Sequence, residues 1–355
     1  MTTRRRVIAT LVTALTLASY GIAGALTSAR PAVAQVLSAP AGCIPRLLVL
    51  SAFPTELGPL LDRTDPVGGN AVPVGDHTFY LGNLEGHRVA LALTGIGPVN
   101  ARDTTRLALS HFRCAGRSTI TGVVFSGVAG GDYIGDVNAA SRWTEDGKHD
   151  IPVSRAMERV ARDVERDHHY RLSRSAHLPN LPCLPLLPAD LGPAITLTHA
   201  PTFKVGGTGL TTDPFGGKAF PCIPGATDIF SCRPCDAASV TPKAPLTLLE
   251  RLLAIASPSF VTGYFSSSTV AGTYVSSDNE TAEVAKAARH AGLPFIGFRG
   301  VSDGGGDPLH LPGYPFSFFV YQQVSADNVG AVASAFIHAW HDASSLGCEG
   351  AASCD

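Results

Sequence analysis

The chain has 355 residues, 27 of them Lys or Arg and 29 Asp or Glu, for a formal net charge of −2. The charged residues among the first 34 are all arginines, so the remainder is more acidic still. That balance argues against a nucleic-acid or anionic-membrane partner. The length suits one large α/β domain with insertions, or two small domains, and buries a full core without covalent staples.

The N-terminus has the order of a secretory signal peptide: Arg4-Arg5-Arg6, an apolar run from Val7 to about Leu26, then Ala32-Val33-Ala34 as a small-x-small cleavage site. Residues 1–34 are therefore expected to be removed, and the rest to be secreted or extracytoplasmic. Thr3-Arg4-Arg5-Arg6-Val7-Ile8 also loosely resembles a twin-arginine signal, and an uncleaved membrane anchor is the alternative. No later apolar run is long enough to cross a bilayer.

All eight cysteines follow that segment: Cys43, Cys114, Cys183, Cys222, Cys232, Cys235, Cys348 and Cys354. An even count in an exported chain reads as disulfides, although spacing alone leaves the connectivity open. The expected pairing is Cys43–Cys114, Cys348–Cys354, and the other four among themselves. Cys232-Arg-Pro-Cys235 in isolation also fits a redox or zinc motif, but lacks a Cys/His partner pair at zinc spacing.

In chain order, residues 45–53 read as a buried strand, and Pro54-Thr55-Glu56-Leu57 opens a helix with Pro early and an acid in the first turn. Short strands are expected at His77–Leu81 and His87–Leu93. The corner Thr94-Gly95-Ile96-Gly97-Pro98 leads into a helix from about Val99 to Phe112. Residues 122–131 read as a strand running into a tight glycine loop, and Gly135-Asp136-Val137 as the start of another strand. The stretch 150–170 is helical and charged. From about 171 to 244 the chain is rich in Pro, Gly, Thr and Cys, and reads as an irregular insertion pinned by disulfides. A helix at 246–256, a strand at Ser259–Phe265 and a helix at about Asn279–Ala291 follow, the last closed by Gly292 and Pro294. A strand over Pro294–Gly300, a loop over Val301–Asp307 and a helix at about Ser325–Ala343 end the chain.

Strands alternating with helices imply a mostly parallel sheet covered on both faces. Ligands on such sheets sit at the carboxyl ends of the strands. Glu56, the Gly95–Gly97 corner, the Gly127–Gly131 stretch and Asp303 all fall at those ends.

Three patterns stand in order along the chain: Leu50-Ser-Ala-Phe-Pro-Thr-Glu56 with Thr94-Gly-Ile-Gly-Pro-Val-Asn-Ala101; Ser126-Gly-Val-Ala-Gly-Gly131 with Gly135-Asp-Val137; and Asp278-Asn-Glu280 with Arg299-Gly-Val-Ser-Asp303. Together they resemble the nucleoside phosphorylase/nucleosidase superfamily, with methylthioadenosine/S-adenosylhomocysteine nucleosidase as the nearest branch. Secreted relatives with similar insertions include plant bark storage proteins. The resemblance covers roughly 45–145 and 260–340. It implies a three-layer α/β/α sandwich with a central mixed sheet, the irregular disulfide-containing insertion being added to it, and a homo-oligomer. The implied partners are a small-molecule nucleoside and water, with no metal and no organic cofactor.

The resemblance also implies roles. Purine leaves more readily if its N7 is protonated as the C–N bond breaks, and Asp303 matches the acid that supplies this proton. Glu56 matches the acid that activates the attacking water, with Arg299 holding that water. Glu280 matches the acid that accepts hydrogen bonds from the ribose diol and stabilises a cationic sugar. Asn279, Val128, Gly130 and Ser302 are expected to line the substrate. Two positions depart from the pattern: Val128 stands where nucleosidases commonly carry Ser, and Asn279 where Met is usual. Local readings compete with each role. Asp303 also fits a Gly-rich turn, or a small cation loop with Asp307. Glu56 also fits an ordinary first-turn acid, and Glu280 the fourth residue of a capping box from Ser277. A phosphorylase would need Arg near the first strand and in the glycine stretch. Neither place supplies one, so hydrolysis is expected, phosphorolysis or nucleoside storage being the alternatives. His149 and His310 lie near possible site loops, and Phe215, Tyr264 and Phe265 are candidates for stacking on a base.

Overall fold

The computed structural model describes residues 43–177, 194–220 and 272–340. The expected signal segment, the helix at 246–256, the strand at 259–265 with Tyr264 and Phe265, and six of the cysteines lie outside them.

Strand β1 (Arg46–Ser51) is buried along its whole length, as a continuous apolar run between two helical layers requires. Helix α1 (Pro54–Leu61) starts directly on Pro54. Strands β2 (Thr64–Val74), β3 (His77–Leu84) and β4 (His87–Leu93) form an antiparallel meander, and helix α2 (Pro98–His111) follows the glycine corner. The sequence reading missed β2. It carries Pro66, Gly69 and Pro73, and its register slips between Pro66 and Ala71. It is an edge strand, where Pro is tolerated.

After the short pair β5 (Arg113–Cys114) and β6 (Arg117–Ser118) comes β7 (Ile120–Tyr133), and then β8 (Val137–Ala139), β9 (Arg142–Thr144) and β10 (Ile151–Pro152). The Gly127–Gly131 stretch is not the expected loop. It remains strand because neighbours pair along both of its edges. Helix α3 (Arg155–Asp167) is capped by Ser154. In the region read as an irregular insertion, β11 (Ser175–His177) pairs with β12 (Ala194–Thr196), while β13 (Phe203–Val205) and β14 (Thr208–Thr211) enter the main sheet. Strands of three or four residues are too short for an alternating pattern to be seen.

Strand β15 (Ser276–Asp278) leads to helix α4 (Thr281–His290), and β16 (Phe295–Gly305) to helix α5 (Phe316–Ala339). Two further expectations are corrected here. Val301–Gly305 extends the strand, and α5 begins nine residues before Ser325. The first turns of α5 are aromatic and lack a side-chain cap, so the sequence carries no start signal; burial of Phe318 and Tyr321 holds them.

Strands β16, β7, β1 and β4 run parallel at the centre of a mixed sheet, twelve-stranded among the described residues, with antiparallel neighbours outside them. One face packs Leu48, Leu50 and Phe125 against Ala101 and Ala108 of α2 and Ala282 and Ala288 of α4. The other packs Val49, Val124 and Phe298 against Leu57 of α1, Met157 of α3 and Val329 and Phe336 of α5. This is the expected three-layer sandwich. The expected Cys43–Cys114 disulfide is present, with Cα atoms 5.0 Å apart, and ties the lead-in to β1 to the residues after α2. Among the described residues no helix is long and apolar enough to cross a membrane.

Candidate active site

The carboxyl ends of β1, β7 and β16 converge with the β4–α2 corner and the start of α4 on a cavity of about 170 Å³. Seven of the residues singled out from the sequence line it: Glu56, Val128, Gly130, Asn279, Glu280, Ser302 and Asp303. Arg299 does not; it is completely buried behind the carboxylates.

Glu56 sits in the first turn of α1, but its carboxylate does more than favour the helix dipole. Oε2 accepts the Ala52 amide at 2.6 Å and Oε1 the Val128 amide at 2.7 Å, so the side chain bridges the ends of β1 and β7. Burial pushes its pKa up to about 8; the Arg299 charge opposes this and the Glu280 charge adds to it. The Val128 side chain faces the cavity, while its main chain serves both neighbours, the carbonyl accepting Arg299 Nη1 at 3.0 Å. A Cβ on Gly127 would lie 2.3 Å from Arg299 Nη1 and 2.6 Å from Glu56 Oε1, so only glycine fits between them.

Asp303 lies on β16 where its register against β7 shifts. Ser302 Oγ donates to Asp303 Oδ1 at 2.9 Å. Burial raises the Asp303 pKa, and the Ser302 hydrogen bond works against the rise. Gly130 leaves room for this carboxyl, since a Cβ there would sit 2.8 Å from Oδ2. The cation-loop alternative finds no support: Asp307 accepts the Leu309 and Leu311 amides and the Tyr321 hydroxyl. Among the described residues no cluster of His, Cys, Asp and Glu is arranged to hold a metal.

Glu280 is the residue immediately before α4, and the capping box does not form. Its Oε1 accepts the Gly97 amide at 2.8 Å and its Oε2 accepts Arg299 Nη2 at 3.2 Å. The N-terminus of α4 is served instead by Asp278, whose Oδ1 accepts the Glu280 and Thr281 amides at 3.2 and 3.3 Å. Burial raises the Glu280 pKa, Arg299 opposes this and Asp278 adds to it. The Asn279 amide is held against Thr212.

Arg299 joins these parts. It donates from Nε to Thr281 Oγ1 at 3.0 Å, pairs with Asp278, Glu280 and Glu56 at 2.7, 3.2 and 3.7 Å, and lies 4.3 Å from the Phe125 ring centroid.

Sequence reasoning missed Asp278, Phe53, Tyr314 and Phe318, which also line the cavity. Phe53 stands inside the 50–56 motif and Asp278 opens the 278–280 motif, so their signal was present. Tyr314 and Phe318 stand in a stretch without one. Burial, followed by the charges of Asp303 and Glu280, raises the Tyr314 pKa. Phe215 packs on Phe220, ring centroids 4.9 Å apart, and does not line the cavity. His149 pairs with Asp146 on the surface, and His310 is exposed.

Comparison with known proteins agrees with this architecture. The family model for the phosphorylase superfamily matches residues 46–170. A Mycobacterium tuberculosis protein, described as uncharacterized protein Rv2293c, is 39% identical over 202 residues, covering 54% of this chain and 78% of that protein. Among solved structures, the 5′-methylthioadenosine/S-adenosylhomocysteine nucleosidase of Colwellia psychrerythraea in complex with adenine is 16% identical, with a TM-score of 0.51 over 83% of this chain and 96% of that one. The Neisseria meningitidis nucleosidase in complex with methylthio-immucillin-A is also 16% identical, with a TM-score of 0.50 over 84% and 100%. At such identity the likeness is one of fold. The chain belongs to the phosphorylase superfamily.

Proposed function

We propose that this protein is a nucleosidase that hydrolyses the N-glycosidic bond of a purine nucleoside. The observation that carries the reading is the gathering of Asp303, Glu56 and Glu280 around one cavity, with each carboxyl in a different environment. Groups whose surroundings set their proton affinities apart can divide acid and base work between them.

In this reading the Asp303 carboxyl, whose hold on its proton burial strengthens, gives that proton to purine N7 as the electron pair of the C–N bond leaves with the base. Glu56 in its ionised form, favoured as pH rises toward about 8, takes a proton from water, and the hydroxide equivalent adds to C1′. Arg299 sits too deep to meet the substrate and acts through Glu56 and Glu280. Glu280 retains acceptor capacity toward the ribose hydroxyls, since each carboxylate oxygen has two lone pairs. Asn279, Ser302, Gly130 and Val128 complete the walls, and Phe53, Tyr314 and Phe318 offer apolar surface to the base or the 5′ side.

Hydrolysis is favoured over phosphorolysis because, among the described residues, no Arg or Lys lines the cavity. A dianionic phosphate would meet carboxylates there and no free guanidinium. Incubating the purified protein with a purine nucleoside panel, with and without phosphate, tests the reading. Free base should form at equal rates in both. Base release that requires phosphate, with ribose 1-phosphate accumulating, overturns it; binding without any base release favours a storage protein. The signal-like N-terminus and the Cys43–Cys114 bond support an extracytoplasmic setting, and the family resemblance supports a homo-oligomer.

A further inference from the structure

One buried guanidinium serves three buried carboxylates, and the distances rank them: Asp278 at 2.7 Å, Glu280 at 3.2 Å and Glu56 at 3.7 Å. Asp278 therefore holds the largest share of the single positive charge. Its other contacts are also internal. Oδ1 accepts the Thr211 hydroxyl at 2.6 Å and the Glu280 and Thr281 amides, and Oδ2 accepts the Thr281 hydroxyl. A carboxylate offers about four lone-pair sites. With Arg299 included, those of Asp278 are used up inside the protein, which leaves it nothing for a substrate.

We propose that Asp278 is a positioning residue of the hydrolytic site, deciding how the Arg299 charge is divided between Glu56 and Glu280 while it holds the start of the Glu280 helix in place. The proposal rests on the nucleosidase reading for its meaning in catalysis, but not for its electrostatics. Asp278 draws the guanidinium toward itself, and its own negative charge lies beside Glu280. Both effects weaken the pull that would otherwise ionise the Glu56–Glu280 pair. The other titratable groups at the cavity are Asp303 and Tyr314, and both are the same in any Asp278 variant.

The decisive variant is Asp278→Asn. Asn caps helices about as well as Asp, so the start of α4 is kept while one negative charge is withdrawn. Glu56 and Glu280 then share Arg299 between them and titrate as a coupled pair at lower pH. The measurement is a pH titration of ¹³C-labelled glutamate carboxyl signals in the ligand-free protein, with Glu56→Gln and Glu280→Gln identifying the pair. Asp278→Asn should move the midpoint by at least about one pH unit toward acid. Asp278→Glu, which keeps the charge, should restore it toward wild type. Thr211→Val, which removes a hydrogen bond to Asp278 and no charge, should leave it in place. The alkaline-rising limb of nucleoside hydrolysis should move with the midpoint.

A folded Asp278→Asn protein with an unmoved midpoint overturns the proposal, and so does Thr211→Val moving it equally, since Asp278 would then be a helix cap alone. If Asp278→Asn does not fold, Asp278→Ser keeps an oxygen cap without the charge and carries the same test. If the wild type cleaves no nucleoside, the functional reading falls, and the carboxyl titration still decides the role of Asp278.

Discussion

Replacing Asp303 by Asn keeps the side-chain shape and a partner for the Ser302 hydroxyl, but removes the proton donor. Turnover on purine nucleosides should fall at least about 100-fold, the lower end of general-acid contributions, with the melting temperature nearly unchanged; steady-state kinetics and calorimetry check both. Glu56 gives a prediction about stability. Its pKa in the fold is about 8, against an ordinary value of 4.5. Between those values the folded state binds a proton that the unfolded chain has released, so stability must fall as pH rises. The contribution is complete below about pH 4.5 and lost as pH passes about 8. The melting temperature of the wild type should therefore decline over that window more steeply than that of Glu56→Gln. Parallel slopes would show that Glu56 is not held protonated. Glu280→Gln should depress turnover without the stability loss of a missing cap, because Glu280 caps nothing with its side chain.

At the scale of elements, the packing of β16 on α5 leaves no space at Gly300, where a Cβ would lie 2.2 Å from the Ser325 carbonyl oxygen. Backbone has to move to admit it. Gly300→Ala should cost about 1–3 kcal/mol by urea unfolding, the usual range for overpacking. Gly127→Ala should instead act on the site, displacing Arg299 from Glu56, and should reduce nucleoside hydrolysis more than it reduces stability. The central strands and the helices beginning at Pro54, near Val99 and near Asn279 were legible in the sequence because apolar runs, Pro placement and glycine corners coincide there. The glycines of β7 were read as a loop because glycine is the commonest mark of one. Their use here is steric: they let Arg299, Glu56 and Asp303 approach a strand. The start of α5 was illegible because packing holds it and no local pattern announces it. For the site the acids were legible, since the motifs name them. Their partnership was not, because the Arg299–Asp278 pair and the Glu280–Gly97 bond join residues whose proximity only the folded sheet creates.

For the molecule as a whole, the Cys43–Cys114 bond closes a loop with a sequence separation of 71 and encloses β1 to β4 with α1 and α2. Removing it with a Cys43→Ser/Cys114→Ser double variant should cost about 2–4 kcal/mol, seen as a lowered denaturant midpoint with the fold retained. The family match ends at residue 170, whereas Glu280, Arg299 and Asp303 come later in the chain. The site is therefore assembled from segments far apart in sequence, and the last strands and helices are as necessary to it as the first.

The hydrogen bond from the Gly97 amide to Glu280 spans 183 positions of the chain. A ligand that recruits Glu280 as an acceptor must share that carboxylate with the Gly97 amide. Solvent exchange of this one amide proton is thus a native gauge of occupancy: it should change when a nucleoside enters the cavity, whether or not the glycosidic bond is ever cut.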